Sequence, residues 1–453
     1  MERCDKKKKR SRRKKKFKIV GLYLSILVLT FIFLFNNFNL FDKKCNSEVV
    51  KDEQILETLA DNKTSKVTIN AIGDVMAHTP QLNAQYDPKT NTYSFDNNYK
   101  YVSSYIKKAD LSIANLETTL AGDSIPYSSY PTFNTPDTLA DALKNAGVDV
   151  VSTINNHSFD KGDLGVERTL DVLKSKNLST IGTISNVGDK NYLIKEVNGI
   201  SLGITAFSYG ELRENTKFLN GIRISDKSKD KLNVFDSSDV NNAFNTINNT
   251  LKNISHTDIQ ILVIHWGDEY RRVPNQFQYD LAQKLSDSGV DIIIGSHPHV
   301  VQPVEIIKST DESHETLVIY SLGNFISNQR RELLGTPFTE DGLMVNIEIT
   351  KNTDKTFVSK VNCIPTWVNK YNNGSKIVFE VLPITNNEDF YNRLLASARK
   401  TGEQFWQLPA FKEYAKIVIS LNPATAIANN KLQDKISSIE NAFFIPKSFI
   451  TLI

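Results

Sequence analysis

The sequence predicts an α/β protein with buried, largely parallel strands. Three observations carry this. Short apolar runs recur through the middle of the chain: "VTINAIGD", "LSIANLE", "DVVSTINNH", "SLGITAFS", "IQILVIHWG", "VDIIIGSHPH" and "TLVIYSLGNF". Their length and β-branched content suit buried strands. Between several of them lie stretches of helical period. "PDTLADALKNAG" is opened by Pro136 and Asp137 and closed by Gly147, and "NQFQYDLAQKLSDSG" is closed by Gly289, the expected start and stop signals. Finally, the composition is that of an ordinary globular protein, 40% hydrophobic and 23% charged, with no internal repeat of fixed period.

Taken in order, residues 1–18 form a basic tail with twelve Lys or Arg against Glu2 and Asp5, a local charge of +10 in a chain whose total is +3. The remaining residues therefore sum to −7, so no nucleic-acid partner is expected for the main body. "IVGLYLSILVLTFIFLF" follows without a charge. It reaches the roughly 17–25 residues a spanning helix needs, and it exceeds the roughly 7–15 residues of a signal-peptide core. No small-residue cleavage site follows it. Residues 19–36 are thus expected as a transmembrane signal anchor in the lipid bilayer. The basic flank stays cytoplasmic and the main domain lies outside, giving a single-pass protein of the cell membrane. Residues 37–65 read as an extracytoplasmic stalk, 66–385 as the ordered domain and 386–453 as a helical extension. The cysteines, Cys4, Cys45 and Cys363, suggest no disulfide framework and are expected as free thiols.

In α/β sheets ligands bind beyond the carboxyl ends of the strands. Those exits carry Asp74 and His78; Asn115 and Glu117; Asn155, Asn156, His157 and Asp160; His265, Asp268 and Glu269; Ser296, His297 and His299; and Asn324. Each alone is ordinary turn or capping chemistry. Five of the seven histidines fall here, however, with only His256 and His314 elsewhere. Imidazole, carboxylate and amide oxygen without thiolate suit a divalent metal, Mn, Fe or Zn. In "HPH" an extended chain would send His297 and His299 to the same side, with Pro298 favouring extension of the residue before it.

In order, "GDVM", "NLE", "NNHSFDKG", "HWGDEY", "GSHPHVVQPVE" and "SLGNF" resemble the CapA family of poly-γ-glutamate capsule synthesis proteins, within the calcineurin-like metallophosphoesterase superfamily. The resemblance implies a four-layer αββα sandwich of the metallophosphoesterase type, preceded by one N-terminal transmembrane helix. It also implies one or two metal ions held by Asp74, Glu117, Asn156, His265, His297 and His299. His157 would be the catalytic general acid, oriented by Asp160, and Asn115, Glu269 and Asn324 are expected to face substrate. Two departures stand out. Asp74-Val75-Met76 replaces the superfamily's Asp-x-His, unless His78 substitutes, and Asn115-Leu116-Glu117 replaces its Gly-Asp.

The expected partners are poly-γ-glutamate or another anionic envelope polymer, and membrane synthase subunits. The alternatives are a hydrolase acting on another envelope substrate, or a non-catalytic scaffold binding polymer or synthase. Trp266 reads as packing. Arg271 and Arg272 read equally as anion contacts or as a solvated pair, and the loop bearing Pro126, Pro131 and Pro136 reads as a lid.

Overall fold

The computed structural model describes residues 64–214, 216–336 and 338–384. The expected tail, the 19–36 anchor, nearly all of the stalk, the 386–453 extension, Cys4 and Cys45 lie outside the described residues. No helix among the described residues is long and apolar enough to cross a membrane.

The chain lays down half of one sheet, builds a second, and returns to finish the first. The opening pass gives β1 (Ser65–Val75), helix α1 (Thr79–Gln85), a small ribbon of β2 (Tyr86–Asp87) and β3 (Thr92–Tyr93), and α2 (Ser103–Ile106). It continues through β4 (Leu111–Leu116), α3 (Thr138–Ala146), β5 (Val150–Ser152), α4 (Gly162–Ser175) and β6 (Ser179–Ile181). The second sheet takes β7 (Tyr192–Val197), β8 (Ile200–Arg213), β9 (Thr216–Leu219), β10 (Ile222–Arg223) and β11 (Val234–Asp236). After α5 (Val240–Leu251) it adds β12 (Ile259–His265), α6 (Gln276–Asp287), β13 (Ile292–Ser296), β14 (Val304–Lys308) and β15 (Glu315–Ile319). The return comprises β16 (Asn324–Ile326), α7 (Arg331–Leu334), β17 (Asp341–Lys351), β18 (Thr356–Asn372) and β19 (Ile377–Pro383).

The first sheet runs β19-β18-β17-β1-β4-β5-β6 with β16 also on β1, and the second runs β10-β9-β8-β12-β13-β15-β14 with β7 and β11 on β8. The predicted helix limits hold: Asp137 stands at the N-cap position of α3, its carboxylate turned to Arg168 and not to the helix amides, and Gly147 ends the helix in the left-handed conformation, as a glycine at this position allows. Asn275 opens α6 with a capping box closed by Gln278, satisfying donors the helix itself leaves free.

Alternation along the strands builds three apolar layers. Val67, Ile69 and Ala71 of β1 meet Ile200, Leu202 and Ile204 of β8 and Ile259, Ile261 and Val263 of β12 between the sheets. The first sheet's outer face packs Ala114 and Leu116 against Leu139, Leu143 and Ala146 of α3. The second sheet's outer face packs Leu262, Ile264 and Ile293 against α5 and α6 through Ile247, Leu251, Leu281 and Leu285. The described residues therefore stack as helix, sheet, sheet, helix.

Largely parallel strands were expected, and both sheets are in fact mixed. The centre is parallel, β1-β4-β5-β6 and β8-β12-β13-β15, while β17, β18 and β19 form an antiparallel meander. The physical cause is two tight Asn turns. Asn352 Oδ1 accepts from the Asp354 and Lys355 amides, and Asn373 Oδ1 accepts from Ser375 and Lys376, so each strand folds straight back without a crossover helix.

Gly73 sets the exit of β1. A Cβ there would lie 2.0 Å from the Gly323 carbonyl oxygen, the acceptor of the Asp74 amide at 3.0 Å. Gly73→Ala is expected to cost about 1–3 kcal/mol by overpacking and to lower the thermal midpoint. An unchanged midpoint would show that this close approach does not shape the strand end.

Candidate metal centre

Strand register assembles the site. Parallel pairing sets Asp74 beside Asn115 of β4 and Asn324 of β16, and sets His265 beside Ser296 at the ends of β12 and β13. Irregularities in the register of β1 around Asp74 re-aim the chain there, as bulges beside functional sites do.

Asp74 and Glu117 are both fully buried. Asn115 Nδ2 donates to Asp74 Oδ1 at 2.8 Å, and the other oxygen lies 3.2 Å from His299 Nδ1. Glu117 Oε1 stands 3.6 Å from His265 Nε2 and 3.7 Å from His299 Nε2. Asp74 Oδ2, both Glu117 oxygens and His297 Nδ1 are buried without a hydrogen-bond partner among the described residues. Buried carboxylate oxygens and imidazole nitrogens in that condition carry a large desolvation cost unless something binds them.

Two groups have their ligand atoms within 4.8 Å of one another, the spacing at which one divalent ion could be held: Asp74, Glu117 and His265, and Glu269, His297 and His299. His299 touches both, through its contacts to Asp74 and Glu117. Burial, followed by the nearby Asp74 and Glu269 carboxylates, pushes the Glu117 carboxyl well above the usual range. Burial and neighbouring imidazoles hold His265 and His297 well below the ordinary histidine value. Neutral imidazoles are the form that ligates a metal, and a cation would reverse the penalty on Glu117. The donor set fits a metal.

Around these groups a layer of hydrogen bonds fixes orientation, the support metal ligands commonly have. Ser296 Oγ lies 2.9 Å from His265 Nδ1, and Asn156 Oδ1 lies 2.9 Å from His265 Nε2. Asn155 Nδ2 reaches Asn115 Oδ1 and the Leu116 carbonyl. His157 Nδ1 is 2.9 Å from Asp160 Oδ2, which also accepts the Phe133 amide at 2.6 Å. The Phe133 ring meets the His157 ring edge-on at 4.7 Å.

Several expectations are corrected. His297 and His299 do converge, their ring centroids 5.9 Å apart, but not on an extended chain. β13 stops at Ser296, and the two histidines have φ of 99° and 57°. The turn around Pro298, whose carbonyl accepts the Tyr270 amide, aims the rings, not the period-2 pleat. Asn115 and Asn324 are 3% and 0% exposed. Their side chains hold Asp74 and His299 in place of facing substrate, Asn324 Oδ1 lying 3.1 Å from His299 Nδ1. Glu269, also expected at substrate, is an exposed member of a ligand group. His78 does not fill the gap left by Met76: its Nδ1 faces Gln81 and accepts from the Asn328 amide, and burial lowers its pKa to about 4. The proline-bearing loop is stitched down by Asn134, which bonds Ala121, Gly122 and Ile125, so this part does not behave as a free lid. Trp266 packs within the outer core and donates to the Tyr320 carbonyl, as read from sequence.

Sequence reasoning passed over Tyr209. Its ring lies 4.6 Å from His297 and stacks on His265 at 6.3 Å. Its signal was available, because it directly follows the apolar run "ITAFS", although β8 continues past it to Arg213.

Comparison with known proteins agrees with the family that the motifs resemble. Residues 68–329 match the family described as bacterial capsule synthesis protein PGA_cap. The chain is 28% identical over 305 residues to "Capsule biosynthesis protein CapA" of Bacillus anthracis, covering 64% of this chain and 66% of that one. It is 28% identical over 287 residues to "PGA biosynthesis protein CapA" of Bacillus subtilis (strain 168), covering 62% and 67%. The chain thus spans about two thirds of the length of these curated relatives. Among solved structures, the calcineurin-like phosphoesterase YfkN from Bacillus subtilis aligns over 78% of this chain and 100% of its own at 14% identity, with a TM-score of 0.37. By the extent of the family match, which takes in every residue of the metal centre, the chain belongs to the bacterial capsule synthesis protein PGA_cap family.

Proposed function

We propose that this chain is a membrane-anchored, extracytoplasmic component of poly-γ-glutamate capsule synthesis and export, on a sandwich of the metallophosphoesterase type whose strand-exit cluster holds one or two Mn, Fe or Zn ions. The names of the Bacillus relatives support the capsule role. The observation that carries the metal centre is the pair of ligand groups joined through His299, with four unsatisfied buried atoms among them.

When bound, a divalent ion supplies Lewis acidity, lowering the pKa of water from about 15.7 to about 7. The chain's own residues do the rest. Asp160 Oδ2 lies 2.9 Å from His157 Nδ1 and fixes the ring, which leaves Nε2 as the edge from which a general acid would serve a leaving oxygen. Asn115, Asn155 and Ser296 keep the ligand side chains from rotating.

Hydrolysis of an activated phosphodiester and of poly-γ-glutamate chains tests this reading. His157→Gln is expected to lower kcat about 10²–10³-fold at unchanged metal content, with Asp160→Asn lowering it less. Loss of metal along with activity in His157→Gln would remove the general-acid role. One observation favours a second, non-catalytic reading: His157 is 3% exposed, closed in by Phe133. On that reading the metal braces the loops, polymer capture requires metal, and no turnover accompanies it.

A further inference from the structure

Ser208 of β8 lies in register with His265 at the end of β12, and Tyr209 follows it. The Tyr209 ring is half-buried, tilted on His297 with centroids 4.6 Å apart and parallel to His265 at 6.3 Å. Packing alone would be served as well by phenylalanine, so the hydroxyl calls for its own reason, since a phenol drawn into a protein usually finds a partner. No described residue bonds this hydroxyl, and the atom is not sealed from solvent. Burial, then the carboxylates of Glu269 and Glu117, raise the phenol above its ordinary value. Those two carboxylates belong one to each ligand group, so the hydroxyl is within electrostatic reach of both. Tyr270, whose ring lies 6.1 Å from His299, differs: its hydroxyl already meets Gln329 Nε2 at 3.5 Å and the Glu269 carboxylate.

We propose that Tyr209 is a ligand-contacting residue of the metal centre, its hydroxyl donating a hydrogen bond to an anionic oxygen, phosphoryl or carboxylate, of the molecule bound there. This rests on the metal-centre reading above. Asp74, Glu117 and Glu269 offer only acceptors when ionised, so an anionic oxygen brought among them needs a donor wherever the metal does not meet it. Tyr209 supplies an O–H there without the cost of desolvating another charge. Its ring, wedged on His297, fixes the hydroxyl in advance, which spares part of the ordering cost of binding.

Calorimetric titration of the full-length, Zn-loaded protein in detergent with orthophosphate and with γ-glutamylglutamate tests the assignment, beside Tyr209→Phe, which keeps the ring and removes only the hydroxyl. Metal uptake is expected to be native in Tyr209→Phe. Affinity for at least one of the two anions is expected to fall about tenfold or more, as loss of a hydrogen bond to a charged group implies. The anion that loses affinity identifies the oxygen as phosphoryl or carboxylate. Unaltered affinity for both anions overturns the proposal while leaving the metal centre intact. So does binding of neither anion by the native Zn-loaded protein at about 10 mM. Loss of metal in Tyr209→Phe also overturns it, by making Tyr209 a support for the ligands. A native chain that takes up no metal removes the metal centre and this proposal together.

Discussion

His299→Ala is expected to abolish metal binding at both ligand groups, where His297→Ala or Asp74→Ala disables chiefly one. His299 belongs with Glu269 and His297, yet its Nδ1 is 3.2 Å from Asp74 and its Nε2 is 3.7 Å from Glu117. Removing it withdraws a nitrogen from one group and, from the other, the ring that lies against both of its carboxylates. A lost supporting residue commonly costs 10–100-fold in affinity, so a lost ligand should cost at least about 100-fold at its own group. His299→Ala is therefore expected to show no saturable uptake where the single-group variants retain part of it. Titration with Mn and Zn under competition by a chelator reads this directly. Native stoichiometry in His299→Ala would place the ions elsewhere.

The second large effect is on the pH dependence of the metal-free protein. Glu117 has its folded pKa raised by burial and by Asp74, so the folded state holds a proton that the unfolded chain releases near pH 4.5. Stability from this group is complete below that pH and falls as pH rises through the elevated folded value. His265 and His297 act oppositely. Their folded pKa values are depressed, so their contribution is complete above about pH 6.5 and is lost as pH falls through the folded values. Metal-free protein is thus caught between two slopes. Glu117→Gln is expected to stabilise it at pH 7.5 by about 1–3 kcal/mol, since an amide needs no counter-charge, while preventing metal uptake. Urea denaturation at pH 6, 7 and 8, with and without Zn, checks both halves. A Glu117→Gln variant less stable than native metal-free protein would mean that this carboxylate already has a compensating partner.

What the sequence makes legible here is what pattern encodes directly. Apolar runs gave β1, β4, β12, β13 and β15, and the strand-exit rule brought Asp74, Glu117, Asn156, His265, His297 and His299 to one place before any coordinates. What it hides depends on tertiary pairing. The β17–β19 meander has half-exposed strands such as β18, whose mixed pattern resembles loop until a neighbour is known. The direction of the His297 and His299 rings rests on two positive φ values that residue identity does not announce. The supporting roles of Asn115 and Asn324 follow from register with β1, and an asparagine at a strand end looks the same whether it faces ligand or neighbour.

The most direct test of the central claim is the metal content of the purified protein, by elemental mass spectrometry, for the native chain and for His297→Ala/His299→Ala. The strand-exit centre predicts about one or two Mn, Fe or Zn per native chain and none in the double variant. A native chain that holds no metal and takes none up at micromolar concentrations, or a double variant with native content, would contradict it.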